Sequence, residues 1–184
     1  MSEALQPQLA AVLAEYDAVT KGVRALAASV DDVTFARKPA PERWSAAECV
    51  EHLTLSNRLY YDMIRDGLAQ ARLMPPHPGP HRRRWLGRLL AWSLEPGHGG
   101  KSRTIPATVP HVAVGTKGVV GDYIESQHVI ASFVRESSGL DLRRIVITSP
   151  FLKYLKYDLY SLYTIIAAHG RRHLAQAQRA VRGE

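Results

Sequence analysis

The chain has 184 residues, 46% of them hydrophobic and 22% charged, a balance expected of one ordinary soluble globular domain spanning 1–184. No apolar run approaches the roughly 20 residues needed to cross a bilayer and the first residues lack a secretory signal, so a cytoplasmic protein without a membrane span is expected. The formal charge of +7 is scattered outside Arg82, Arg83, Arg84 and Arg88, with no aromatic-basic RNA motif, so no nucleic-acid partner is expected.

The first helix is predicted over about 3 to 29, where Leu5, Leu9, Val12, Tyr16, Val19, Val23 and Leu26 step by four and three as a buried seam does. Asp31, Asp32, Pro39 and Pro41 mark a loop after it. The second helix, about 45 to 71, has the clearest start signal: Ser45 caps, Glu48 lies three residues on, and Trp44 precedes the cap to pack on Cys49. Its inward seam reads Cys49, His52, Ser56, Leu59 and Met63.

Proline and glycine then break up residues 72–116, an insertion too long to be a plain connector. Within it, Trp85, Leu86, Leu89 and Leu90 can share one face of a short helix, expected to act as a lid or a dimer contact that shields Trp85 and Trp92; touching an anionic membrane is the less economical reading. Gly99-Gly100-Lys101-Ser102 resembles the end of a phosphate-binding loop, but Glu95 replaces the first glycine and no strand precedes it. A third helix fits about 117 to 137, with Val120, Tyr123, Gln127, Ile130 and Val134 inward and Gly139 as its stop. Ile145-Val146-Ile147-Thr148 reads as an extended connection into a last helix over about 154 to 181. The fold expected is all-α, a four-helix bundle with a long insertion between helices 2 and 3. Short 1–2 and 3–4 connections suggest antiparallel neighbours, and the insertion lets helices 2 and 3 run parallel.

In the last helix, Leu155, Leu159, Leu162, Ile166, His169, His173, Gln176 and Ala180 form one seam, so two histidines occupy positions meant for apolar residues. Residues four apart lie on one face with Cβ atoms roughly 6 Å apart, close enough to share one ion. Antiparallel packing of helices 2 and 4 brings His52 to the same end. Three neutral imidazoles suit a divalent zinc, nickel or iron ion with a position left for water or substrate. The bland reading is a hydrogen-bonded polar layer, or an empty site. Cys49 is the only cysteine, which excludes a disulfide and a cysteine-based zinc cluster; it reads first as a small buried apolar residue and second as a nucleophile or fourth ligand. Gly170 stands where the His-Glu-x-x-His peptidases carry glutamate, which argues against that class. No catalytic residue is assigned. Glu48, Tyr123 and Gln127 are the candidates. His77, His81, His98 and His111 read as ordinary loop residues, and His128 lies beside the third seam.

Pro-Glu-Arg-Trp-Ser-Ala-Ala-Glu-Cys-Val-Glu-His-Leu, ending at Leu53, and His-Gly-Arg-Arg-His-Leu-Ala-Gln at 169 to 176 resemble the DinB/YfiT-like superfamily. The resemblance implies a four-helix bundle whose metal is bound by one histidine of the second helix and two of the fourth, here His52, His169 and His173. It also implies a relationship to bacillithiol- or mycothiol-dependent transferases and to maleylpyruvate isomerase, so the partner expected is a small-molecule substrate with a low-molecular-weight thiol, and a homodimer is an option. The insertion departs from the pattern. Two functions stay open: a metal-dependent hydrolase or thiol transferase, or a non-catalytic binding or stress-response bundle whose metal is structural or absent.

Overall fold

The structure, a computed structural model, describes residues 5–77, 79–98, 104–111, 117–152 and 154–184. The glycine-rich string at 99–103 lies outside the described residues. Helix α1 spans Pro7–Ala28, starting with proline at its first position, where a missing N–H costs nothing. A five-residue helix, α2 (Asp32–Ala36), follows in the segment expected to be loop, capped by the Asp31 carboxylate on the Thr34 N–H.

The second predicted helix is interrupted. Helix α3 runs Ala46–Arg58 and α4 runs Tyr61–Arg72, with Tyr60 tucked into the core and its hydroxyl 2.8 Å from that of Tyr157. After the break the buried face moves on by one residue: Leu59 and Met63 are only half-buried, whereas Ile64, Leu68 and Ala71 are fully buried. One residue is about 100° of helix rotation, so the interruption re-aims the apolar face. Helix α5 (Trp85–Ser93) and a 3₁₀ turn at Pro106–Thr108 lie in the insertion, and α6 spans Gly118–Glu136. Strand β1 (Val146–Thr148) pairs antiparallel with β2 (Lys156–Asp158), Ile147 opposite Tyr157. The β-branched run thus makes a hairpin rather than a lone connection, and α7 begins at Leu159 instead of 154. Asp158 caps α7 (Leu159–Arg182) through the Ser161 N–H and hydroxyl.

Both α1 and α3 pack against α6 and α7, so α1 lies across the core from α3, and α6 across from α7. The expected neighbours therefore sit on the diagonals, because each connection carries structure of its own: α2 in one, the hairpin in the other. Helix direction follows from residue pairing. Tyr16 with Tyr163, Val19 with Gly170 and Gly22 with Leu174 set α1 parallel to α7, and Asn57 with Ser126 and Arg72 with Glu136 carry α3 and α4 parallel to α6. Helix α3 opposes α7, since His52 meets His169 while Gly67 of α4 approaches Leu159. A Cβ at Gly170 would sit 3.2 Å from Val19, so the glycine admits a close α1–α7 contact.

The short helix of the insertion is oriented differently from expectation. It docks on α7 with Gly87 and Ala91 on its buried face, and glycine is required there because a Cβ at Gly87 would overlap Ser161. Trp85 is 75% exposed and Trp92 55%, so the helix does not shield the indoles within the chain as a lid would. The insertion is also anchored at the start of α1, where Gln6 holds His81 Nε2 at 2.7 Å and the His77 carbonyl at 3.1 Å. His81 is consequently buried rather than an ordinary loop residue, while His111 and His128 are exposed.

Candidate metal centre

The opposed directions of α3 and α7 bring His52, His169 and His173 together, with one ligand atom from each ring lying within 4.8 Å of the others. His52 is 4% exposed and His173 8%, and His169 is half-buried at the residue level. His52 Nε2 and His169 Nε2 are 3.3 Å apart. The rings of His52 and His173 have centroids separated by 4.5 Å, as do those of His169 and His173.

His52 is oriented by the insertion: its Nδ1 lies 2.7 Å from the Thr108 carbonyl oxygen. A carbonyl only accepts, so the proton sits on Nδ1 and Nε2 presents a lone pair. Burial is the main reason that all three imidazoles are held neutral. Desolvation lowers His52, against the opposing Thr108 hydrogen bond; it lowers His169 to about 3, helped by His52 and Arg172. Desolvation likewise drives His173 well below the ordinary histidine range, helped by His169, His52 and Arg172 and resisted by a hydrogen bond with Gln176. His173 Nδ1 is buried with no hydrogen-bond partner.

Those features fit a cation. Two nitrogens each about 2.0 to 2.1 Å from a tetrahedral ion stand about 3.3 Å apart, the separation of the His52 and His169 nitrogens. Neutral imidazoles need not shed a proton to bind, and a buried orphan nitrogen costs free energy until something accepts its lone pair. Three buried histidines could thus hold one metal ion.

The surroundings were only partly foreseen. Trp44, read as the staple at the start of α3, lies against the rings, with centroids 4.7 Å from His52 and 5.9 Å from His173. The predicted capping box is present: Ser45 Oγ accepts from the Glu48 N–H and Glu48 accepts from the Ser45 N–H. Because its second oxygen pairs with Lys38 at 2.9 Å, Glu48 is committed away from the histidines. Tyr123 accepts a hydrogen bond from Gln127 at 2.9 Å, and neither is bonded to the histidines among the described residues. Gln127 Oε1 is a second buried orphan acceptor. Cys49 is fully buried, and burial pushes its thiol pKa far up, so it remains a protonated apolar residue.

This is an all-α protein with three helix-borne histidines converging where they could hold one divalent ion. A family model described as the DinB superfamily matches residues 15–177, which takes in all three histidines. The chain belongs to the DinB superfamily. Comparison with the curated proteins and with the solved structures finds no significant match.

Proposed function

We propose that His52, His169 and His173 bind one divalent ion, zinc, nickel or iron, and that the protein is a metal-dependent enzyme acting on a small substrate with water or a low-molecular-weight thiol as nucleophile. What carries the reading is the convergence of three neutral, buried imidazoles with a 3.3 Å nitrogen pair and an unpartnered His173 Nδ1. A bound ion of this kind supplies Lewis acidity and favours the deprotonated form of a water or thiol held at an open position. The residues of the chain position and exclude. Thr108 fixes the His52 tautomer, α7 holds His169 and His173 on one rigid face, and Trp44 keeps bulk water from one side. Among the described residues no carboxylate joins the histidine cluster, Gly170 standing at the glutamate position of a His-Glu-x-x-His helix and Glu48 being bonded to Lys38 and Ser45. Thiol chemistry suits that absence, since a bound ion would favour the thiolate, its proton released to solvent, and no protein base would be needed.

Elemental analysis of protein purified without a histidine tag, beside His169→Ala and His173→Ala, tests the site. Stoichiometric metal in the parent and little in the variants is expected, and equal content in all three would sink it. The loaded protein is then assayed with thiols plus electrophiles and with an ester and amide panel, where turnover lost in both variants is the expected result. Failure of both panels would defeat the enzyme reading.

A further inference from the structure

The outward face of α5 is left largely open among the described residues, its one ring contact being that of Trp92 stacked on His98 at 4.6 Å between centroids. Trp85, Leu89 and Trp92, spaced by four and three, form one stripe and are 75%, 52% and 55% exposed. The opposite face is spent on α7 through Gly87 and Ala91, so the stripe cannot turn inward without undocking the helix.

Around the stripe stand Arg82, Arg83, Arg84 and Arg88, all exposed and none in an ion pair among the described residues. The nearby acids are taken. Arg171 pairs with Glu15 at 2.5 Å and with Glu95, whose carboxyl is held below its usual range by that hydrogen bond, while Asp158 is consumed by Ser161 and the Arg84 N–H. A cavity of about 390 Å³ opens beside α5, between α1 and α7, with Arg83, Arg88, Trp92 and Tyr160 among its walls. It offers room for a polar headgroup next to the apolar stripe.

We propose that α5 is a membrane-docking helix that lies on an anionic lipid surface, with Trp85, Leu89 and Trp92 at the headgroup boundary and the four arginines against phosphates. Indole rings favour that boundary because one end is apolar and the N–H can stay wet, and guanidinium groups pair with phosphate oxygens. A second copy of the chain fits less well, since two such faces would bring arginine clusters together. An anionic surface complements them instead. The inference is independent of the metal centre.

The test is co-sedimentation of the full chain with vesicles of pure phosphatidylcholine and of equal parts phosphatidylcholine and phosphatidylglycerol. Binding to the mixed vesicles alone is expected, with a blue shift in tryptophan emission and release at high salt. Replacing Arg82, Arg83 and Arg84 by glutamine should weaken binding on the order of a hundredfold, given the contribution of each basic residue near an anionic surface. Trp85→Ser with Trp92→Ser should abolish the residual binding; circular dichroism checks that these exposed positions leave the fold intact. Absence of sedimentation with the mixed vesicles overturns the proposal. So does a dimer in size-exclusion chromatography that the double serine variant dissociates, because the stripe would then be a contact between copies.

Discussion

His52 of α3 donates its Nδ1 proton to the carbonyl of Thr108, 56 positions further along the chain, over 2.7 Å. The bond joins the insertion to the histidine cluster and leaves Nε2 as the atom that meets His169. In metal-free protein, two facing lone pairs would repel, so His169 Nε2 must carry the proton in that contact. Nitrogen-15 NMR of the imidazoles should therefore find His52 as the Nδ1–H tautomer and His169 as the Nε2–H tautomer in metal-free protein at neutral pH. A protonated Nε2 on His52 would contradict both the Thr108 bond and its readiness as a ligand.

Trp44 offers a local optical probe of the same centre. Its ring lies 4.7 Å from that of His52, whereas Trp85 and Trp92 stand exposed on α5. In a Trp85→Phe, Trp92→Phe background the remaining emission is that of Trp44. Titration with nickel(II) should quench it and saturate near roughly one equivalent, the ratio for a single three-imidazole site. His169→Ala should remove the saturable phase. Quenching that persists unchanged in that variant would mean the ion binds elsewhere.

Local signals explain what could be read from the sequence. The Ser45–Glu48 capping box involves residues three apart, and the helix seams depend only on periodicity, so both were visible, as were three histidines on those seams. Long-range choices were not. Thr108 orients His52 with a backbone carbonyl, which has no residue signature, and Lys156-Tyr157-Asp158 lacks the β-branched pattern that would have announced a partner for β1. The break at Leu59 and Tyr60 has neither proline nor glycine to mark it; a buried tyrosine pair decides it instead. Gly87, in the middle of a nine-residue helix, is a sequence signal of close approach on that face, and hence of outward tryptophans.

Two glycines make an opposed pair of stability predictions. A Cβ at Gly87 meets Ser161, itself held in the Asp158 cap, so Gly87→Ala should cost about 1 to 3 kcal/mol by overpacking and lift α5 from α7. Gly121, inside α6, has nothing within 4 Å of its added Cβ. Gly121→Ala should stabilise by about 0.4 to 1 kcal/mol, through helix propensity and a less flexible unfolded chain. Urea unfolding midpoints decide the pair. A neutral Gly87→Ala would mean that α5 is not docked as described.

The histidines also set how stability varies with pH. Desolvation lowers His52, His81, His169 and His173 in the folded state, His169 to about 3, whereas an unfolded histidine titrates near about 6.5. Below that value the unfolded chain binds more protons than the folded one, so acidification favours unfolding until pH passes the folded values. In metal-free protein, the urea midpoint should fall between about pH 6.5 and 5, with His169 and His173 each contributing a slope on the order of 1 kcal/mol per pH unit and His52 and His81 adding in the same direction. Replacing His169 and His173 together by leucine should flatten that slope, because two depressed titrations are removed and apolar side chains suit the buried seam. Added metal should raise the midpoint by a similar amount across that window, because the folded imidazoles are already neutral and bind without shedding a proton. A midpoint that is flat or rises on acidification would show that the imidazoles are not buried as neutral groups, and the slope retained by the leucine variant separates their share from that of His52 and His81.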